Sequence, residues 1–257
     1  MPRDLLFVTL DTLRFDVAQA AFEAGELPVL GPHLGPGGWE ERHTPGSFTY
    51  AAHTAFFAGF LPTPVAPGPH ERLFALAFPG SETIGPGTMV LEGPDIVRGL
   101  SARGFRTICI GGTGFFNLQT PLGSELPGRF DEAHWDVSLG VTDPHSAENQ
   151  VARALERLAD FPDRPVFLFV NISAMHQPNR FYVPGKLADD LESHRAALRY
   201  VDGALAPLLA AFAERGDALA LVMSDHGTLY GEGGHTGHRV GHPAVWTVPY
   251  AQFRLGG

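Results

Sequence analysis

The chain has 257 residues, 44% of them hydrophobic and 18% charged, which is enough apolar content to bury the core of one large domain. A formal net charge of −10 excludes backbone tracking by clustered Lys and Arg, so nucleic acid is not an expected partner. The single cysteine, Cys109, excludes an internal disulfide and lies in the apolar run 107–110, where it reads as a small buried residue.

Taken in chain order, Met1-Pro2-Arg3-Asp4 leads straight into Leu5-Leu6-Phe7-Val8-Thr9-Leu10, an apolar run of strand length that closes on Asp11-Thr12-Leu13-Arg14-Phe15-Asp16. A Gly/Pro-rich stretch over 31–46 precedes Ser47 and Thr49, and residues 51–57 predict a helix that starts near Thr49. A second Gly/Pro-rich stretch covers 62–94. Both are long for structureless loops in a compact domain and fit either lids over a site or surface insertions. Residues 95–100 have helical apolar spacing and stop at Gly104, a strand follows at 105–110, and 111–144 is irregular. A helix is expected over 146–161, with Val151, Leu155 and Leu158 on one face and Ser146 as its N-cap, followed by a strand at 166–170. The longest helix spans about 187–214, where Leu198, Val201, Leu205, Leu208 and Phe212 keep the 3.6-residue period until Gly216 ends it. The apolar run 219–223 then closes on Ser224-Asp225-His226-Gly227, a Gly/His-rich segment occupies 231–238, and a last strand lies at about 245–253.

This alternation predicts an α/β fold, a single domain over 1–257 with a mostly parallel central sheet and helices on both faces. No apolar run reaches the ~20 residues of a membrane span and no signal peptide precedes the first strand, so the expectation is a cytoplasmic protein without a membrane partner. A carboxylate beside an imidazole at the end of a buried strand gives a divalent metal one oxygen and one nitrogen ligand. Ser224-Asp225-His226-Gly227 alone reads equally as a strand-to-loop turn. Asp11 closes another strand, and open α/β sheets gather their chemistry outside the carboxyl ends of strands, so Asp11 and Asp225 can meet.

Asp11 to Asp16, Thr49-Tyr50-Ala51-Ala52-His53-Thr54-Ala55-Phe56-Phe57-Ala58-Gly59-Phe60-Leu61-Pro62, Met175-His176-Gln177-Pro178, Tyr200-Val201-Asp202 and Ser224-Asp225-His226-Gly227 stand in one order. In that order they resemble the sulfatase-like branch of the alkaline phosphatase superfamily, from about residue 4 to 250. The resemblance implies an alkaline phosphatase-like catalytic domain, here lacking the C-terminal subdomain with which larger relatives shape substrate pockets. It implies Asp11 as the first metal-binding acid, Thr49 as the metal-bound nucleophile, and Asp225 and His226 as paired metal ligands. His176 corresponds to a histidine that touches the substrate anion or a second metal. His238, twelve residues beyond His226, falls where phosphoethanolamine transferases place a histidine and many sulfatases a lysine, and the resemblance implies that it serves the substrate or a second metal together with His176. Formylglycine sulfatases carry Cys-x-Pro-Ser-Arg at the nucleophile, whereas this chain has Thr49, Ala51, Ala52 and His53. With no cysteine to convert there, the resemblance points to phosphoryl chemistry.

A threonine hydroxyl has too high a pKa to attack unaided, and metal coordination and a helix start both favour its anionic form. The expected activity is therefore a metal-dependent hydrolase or transferase acting on a small-molecule phosphate ester. The alternatives are a sulfate or phosphonate ester hydrolase, or a metal-binding scaffold without turnover. Zinc is the first choice, as one or two ions, because histidines and carboxylates are mixed; manganese comes second, and calcium or magnesium prefer all-oxygen shells. Thr49 could instead be a helix cap, with Ser47 as the reserve nucleophile. His53 could touch substrate or pack in the core, and His235 and His242 could be further ligands or solvated loop residues. Tyr200 and Asp202 are read as packing positions, and Arg14 and Asp16 as a local pair near the site entrance.

Overall fold

The computed structural model describes residues 2–59 and 95–256, together with two short strands from the segment between them. In chain order the elements are β1 (Asp4–Leu10), α1 (Phe15–Glu23), β2 (Glu40–His43), α2 (Thr49–Ala58), β3 (Phe74–Leu76), β4 (Met89–Leu91), α3 (Ile96–Ser101), β5 (Arg106–Ile110), α4 (Pro121–Glu125) and β6 (Glu132–His134). There follow α5 (Ser146–Ala159), β7 (Val166–Ile172), α6 (Leu191–Arg215), β8 (Ala218–Met223), β9 (Leu229–Tyr230), β10 (Thr236–Gly237), α7 (Pro243–Trp246) and β11 (Thr247–Leu255).

Seven strands form one sheet in the order β2-β11-β8-β1-β7-β5-β6. The pairs from β8 across to β6 are parallel, and β11 is antiparallel to both β8 and β2, so the sheet is mostly parallel, as expected. β1 and β7 are near-continuous apolar runs because both of their faces are covered. Leu6, Val8 and Leu10 of β1 and Val166, Leu168, Val170 and Ile172 of β7 join a core that includes residues of α1, α5 and α6. On the opposite face, Phe7, Phe167 and Phe169 pack with Phe57 of α2 and Val97 and Leu100 of α3.

Side chains alternate along a strand, so these two cores fix the direction of every later residue in the run. β1 is in register with β7 as Thr9↔Asn171 and with β8 as Thr9↔Met223. Odd-numbered side chains of all three strands therefore face α2 near their carboxyl ends, and Asp11 and Asp225 continue that series just beyond β1 and β8.

Several local expectations are corrected. α6 starts at Leu191 and not near 187, because Asp190 and Ser193 form a reciprocal capping box in which each side chain accepts the other's backbone N–H at 2.9 Å. Ser146 is the first helical residue of α5 and not its cap, which is His145. The stretch 31–46 contains the edge strand β2, and 111–144 contains α4 and the opposite edge strand β6. Apart from the backbone of β3 and β4, the candidate lid at 62–94 lies outside the described residues. α6 is long and apolar enough by length and composition to cross a membrane, which a search for uninterrupted apolar runs misses because Arg195, Arg199 and Asp202 break the run. In this fold its periodic face, Leu198, Val201, Leu205, Leu208 and Phe212, is core.

Candidate active site at the carboxyl end of the sheet

Asp11 and Asp225 are fully buried beside each other at the ends of β1 and β8. The chain leaves β1 through Thr12 at φ +65°, an uncommon conformation for a β-branched residue, and this turn aims the Thr12 N–H at Asp225 Oδ1, 3.2 Å away. Asp225 Oδ1 also accepts the His226 N–H at 3.0 Å. Gly227 is required by packing, since a Cβ there would lie 1.9 Å from the Ala244 carbonyl oxygen.

Thr49 opens α2, while Phe48 occupies the cap position and no side chain caps the helix, so the cap reading of Thr49 does not hold. Its Oγ1 stands 3.4 Å from Asp11 Oδ2 and 3.3 Å from His226 Nε2. The His226 ring is oriented from behind: Nδ1–H donates to the Gly227 carbonyl at 2.9 Å, which leaves the Nε2 lone pair facing Thr49 and Asp225 Oδ2, the latter at 3.4 Å. One ligand atom from each of Asp11, Asp225 and His226 lies within 4.8 Å of the others.

The electrostatics of this group are unfavourable without a cation. Burial, and then the Asp225 charge, push the Asp11 carboxyl up to about 6. Burial pushes Asp225 up to about 7, and burial lowers His226. Asp11 Oδ1 and Asp225 Oδ2 are buried without a hydrogen-bond partner among the described residues. Two unpartnered carboxylate oxygens and an imidazole lone pair all point inward as acceptors, and a divalent cation satisfies all three at once. The residues present therefore fit a metal ion.

His176 follows β7 and donates Nδ1–H to the Gln177 carbonyl at 2.6 Å, which leaves Nε2 as an acceptor with no hydrogen-bond partner among the described residues. Its ring centroid is 5.6 Å from that of His238, which is 4.5 Å from that of His226. Burial, with smaller effects of the neighbouring His226, His176 and Arg239, drives His238 down to about 3 and keeps it neutral. The structure thus brings together Asp11, Thr49, Asp225 and His226, with His238 and His176 as a further imidazole wall.

Of the other candidates, His53 borders this group, its Nδ1 3.7 Å from Asp225 Oδ2. His53 is a packed histidine: its Nδ1–H donates to the Thr49 carbonyl at 2.7 Å, Nε2 accepts from Thr9 Oγ1 at 3.0 Å, and the rings of Phe56, Phe116 and Phe169 enclose it. Burial holds it neutral, down at about 3. His242 caps α7 by accepting the Ala244 N–H at 3.1 Å, and His235 is exposed. Arg14 pairs with Asp16 and also with Glu232 from the Gly/His-rich segment. Asp202 accepts the backbone N–H groups of Val29 and Leu30 at 2.9 and 2.8 Å, a structural role.

Sequence reasoning missed Asn171. Its Nδ2 donates to Asp11 Oδ2 at 3.1 Å and to Thr9 Oγ1 at 3.3 Å, while its Oδ1 accepts from Thr113 N and Oγ1 at 2.9 and 3.0 Å. A lone amide at the end of the apolar run Val166-Phe167-Leu168-Phe169-Val170 was the available signal.

The fold, with its mostly parallel seven-stranded sheet, is alkaline phosphatase-like. Three solved structures are similar to the chain. The C-terminal periplasmic domain of a phosphoethanolamine transferase from Escherichia coli, in complex with Zn, has TM-score 0.65 and 13% identity over 99% of this chain and 73% of that one. The soluble domain of lipooligosaccharide phosphoethanolamine transferase A from Neisseria meningitidis has TM-score 0.67 and 12% identity over 98% and 76%. A protein in the alkaline phosphatase superfamily from Vibrio parahaemolyticus has TM-score 0.63 and 17% identity over 99% of this chain and 60% of that one. No protein-family model matches the sequence, and no curated protein matches it. The expected cytoplasmic location is overturned here, because the similar Escherichia coli domain is periplasmic.

Proposed function

We propose that this chain is a metal-dependent hydrolase or transferase of phosphate esters, with Thr49 as nucleophile and Asp11, Thr49, Asp225 and His226 holding a divalent ion, zinc before manganese. The observation that carries this reading is the buried group around Thr49 Oγ1, in which one oxygen of each carboxylate lacks a partner among the described residues. The similar phosphoethanolamine transferase structures, one of them a zinc complex, support the metal and the phosphoryl class.

A bound divalent ion supplies Lewis acidity, favouring loss of the Thr49 hydroxyl proton near neutral pH and offsetting charge on a phosphoryl group. The protein's own residues do the rest. Thr49 Oγ1 forms the bond to phosphorus as the bond to the leaving oxygen breaks, and water or a second alcohol then resolves the phosphothreonine. The first-turn amides of α2, which lack carbonyl partners within the helix, favour the anionic centre beside them. His238, held neutral, offers the transferring group a hydrogen bond and not a charge. His176 Nε2 is free to accept the proton of the resolving water or alcohol. Asn171 holds Asp11 in place, as outer-shell donors do at metal sites.

The test is a panel of nitrophenyl phosphate, phosphodiester and sulfate esters with zinc- or manganese-loaded protein, wild type against Thr49→Ala. Turnover of a phosphate ester that Thr49→Ala abolishes supports the proposal. Absence of turnover with every ester in fully loaded protein favours a non-catalytic metal scaffold, and preference for the sulfate moves the substrate class.

A further inference from the structure

Thr12, the residue after Asp11, is buried at φ +65°, a conformation that is costly for a β-branched residue and persists only where the surrounding structure holds it. Its two polar groups work in different directions. The N–H donates to Asp225 Oδ1 at 3.2 Å, and the hydroxyl donates to the Met175 carbonyl at 3.2 Å. Met175 immediately precedes His176, whose own N–H donates to the Ser173 carbonyl at 3.0 Å. One residue therefore joins the buried acids to the loop that carries His176.

The same Met175 carbonyl also accepts Asn179 Nδ2–H at 2.9 Å, and Asn179 is buried and anchored in turn. Its Nδ2 also donates to the Tyr230 hydroxyl oxygen at 2.8 Å, its Oδ1 accepts from Ser193 Oγ at 2.6 Å, and its N–H donates to Asp189 Oδ1 at 2.8 Å. His194, fully buried, closes the ring: Nε2 accepts the Arg14 N–H at 3.4 Å, and Nδ1–H donates to the Tyr230 hydroxyl oxygen at 2.8 Å. The network ties the turn 11–14 and the segments 175–179 and 226–230 to the start of α6, and each of the three carries a site residue. Satisfied buried networks of this kind rigidify the segments they join.

Resting on the phosphoryl reading above, we propose that Thr12 is a positioning residue whose hydroxyl, with Asn179, sets His176 against Asp11, Asp225 and His226 for the step that frees Thr49 of its phosphoryl group. In that step the oxygen of water or an alcohol bonds to phosphorus, and the bond from phosphorus to Thr49 Oγ1 breaks with its electron pair left on Oγ1. The proton of the attacking hydroxyl passes to His176 Nε2, and Thr49 recovers a proton from solvent. Formation of the phosphothreonine makes no use of His176, so the two steps respond differently to its placement. A misplacement of about 1 Å is enough to cost about 10²-fold in rate.

The experiment compares wild type, Thr12→Val, Thr12→Ser, His176→Ala and the double variant of Thr12→Val with His176→Ala, as full chains loaded with zinc. Valine removes the hydroxyl but keeps the branched shape and the N–H to Asp225, so Thr12→Val should keep its zinc content. Its His176 imidazole signal in NMR should shift while that of His226 stays in place. With nitrophenyl phosphate, kcat should fall by about tenfold or more, the fraction of Thr49 found phosphorylated on acid quenching should rise, and Thr12→Ser should recover most of both. In the His176→Ala background, Thr12→Val should cause no further fall in kcat, whereas a merely structural role makes the two losses add. Wild-type kcat with an unmoved His176 signal in Thr12→Val, additive losses in the double variant, or loss of bound zinc overturns the role of Thr12 and leaves the Thr49 site standing. Should Thr12→Val not fold, Tyr230→Phe, which removes a partner of Asn179, should give the shifted His176 signal and the larger adduct, and wild-type behaviour there overturns the proposal. A wild type that turns over no ester and forms no adduct overturns the phosphoryl reading and the step assigned to His176, while the NMR signal tests the link from Thr12 to His176 independently.

Discussion

The imidazoles at the site have different attachments, and substitutions should separate them. His226 is fixed through Gly227 and touches both Thr49 and Asp225, so His226→Ala should lose bound metal. The contacts of His176 are the Gln177 carbonyl and the His238 ring, not Thr49 or Asp225, so His176→Ala should keep at least one equivalent of metal yet lose most activity; equal metal loss in both variants argues for one shared site. Asn171→Leu removes the donor to Asp11 and leaves the Thr113 donors without their acceptor. Metal affinity should fall by about 10–100-fold, read by competition with a chelating dye, and stability by about 1–3 kcal/mol, read by urea unfolding. Unchanged metal affinity in Asn171→Leu contradicts a role in holding Asp11. The acids at the strand ends were legible in the sequence because each interrupts an apolar run with a charge. Asn171 was not, because its meaning depends on its register with Thr9, which only strand pairing defines.

At the scale of elements, β1, α2, β8 and the turn after β8 carry the site, and the turn depends on one close approach. Gly227→Ala sets a Cβ against the Ala244 carbonyl, a backbone atom that cannot rotate away. The variant should lose about 1–3 kcal/mol of stability, as overpacking does, and should bind metal more weakly, because Asp225 and His226 precede that contact. A variant with wild-type melting temperature and metal content contradicts this. The interior elements were legible from periodicity, since β1, β7 and α6 each bury a long regular pattern. The edge strands were not. β2 is Glu40-Glu41-Arg42-His43, exposed throughout, and it pairs with β11 without any apolar alternation to announce it. The start of α6 was placed early because the apolar period carries no information about the Asp190 and Ser193 cap.

For the molecule as a whole, the buried acids tie stability to pH and to metal. Asp11 and Asp225 titrate at about 6 and about 7 in the fold, above the ordinary carboxylate value. A raised carboxyl pKa means that the folded state holds protons the unfolded chain has released. Their contribution to stability is therefore fully present below the unfolded pKa of about 4 and is lost as pH rises through the folded values. A divalent ion takes the place of those protons, so the increase in melting temperature on adding zinc should grow as pH rises from about 5 to about 8. Reading the difference between loaded and metal-free protein at each pH removes the opposite trend of Asp131, Asp136 and Glu232, which are lowered by their partners. A zinc-induced shift that stays flat or shrinks over this range contradicts two buried carboxylates as ligands.

The central claim is that Thr49 receives the phosphoryl group, and the direct measurement is peptide mass spectrometry of zinc-loaded protein quenched in acid during turnover of a phosphate ester. The account predicts a phosphoryl adduct on Thr49 that is absent from Thr49→Ala. An adduct on Ser47, or turnover that survives intact in Thr49→Ala, contradicts it.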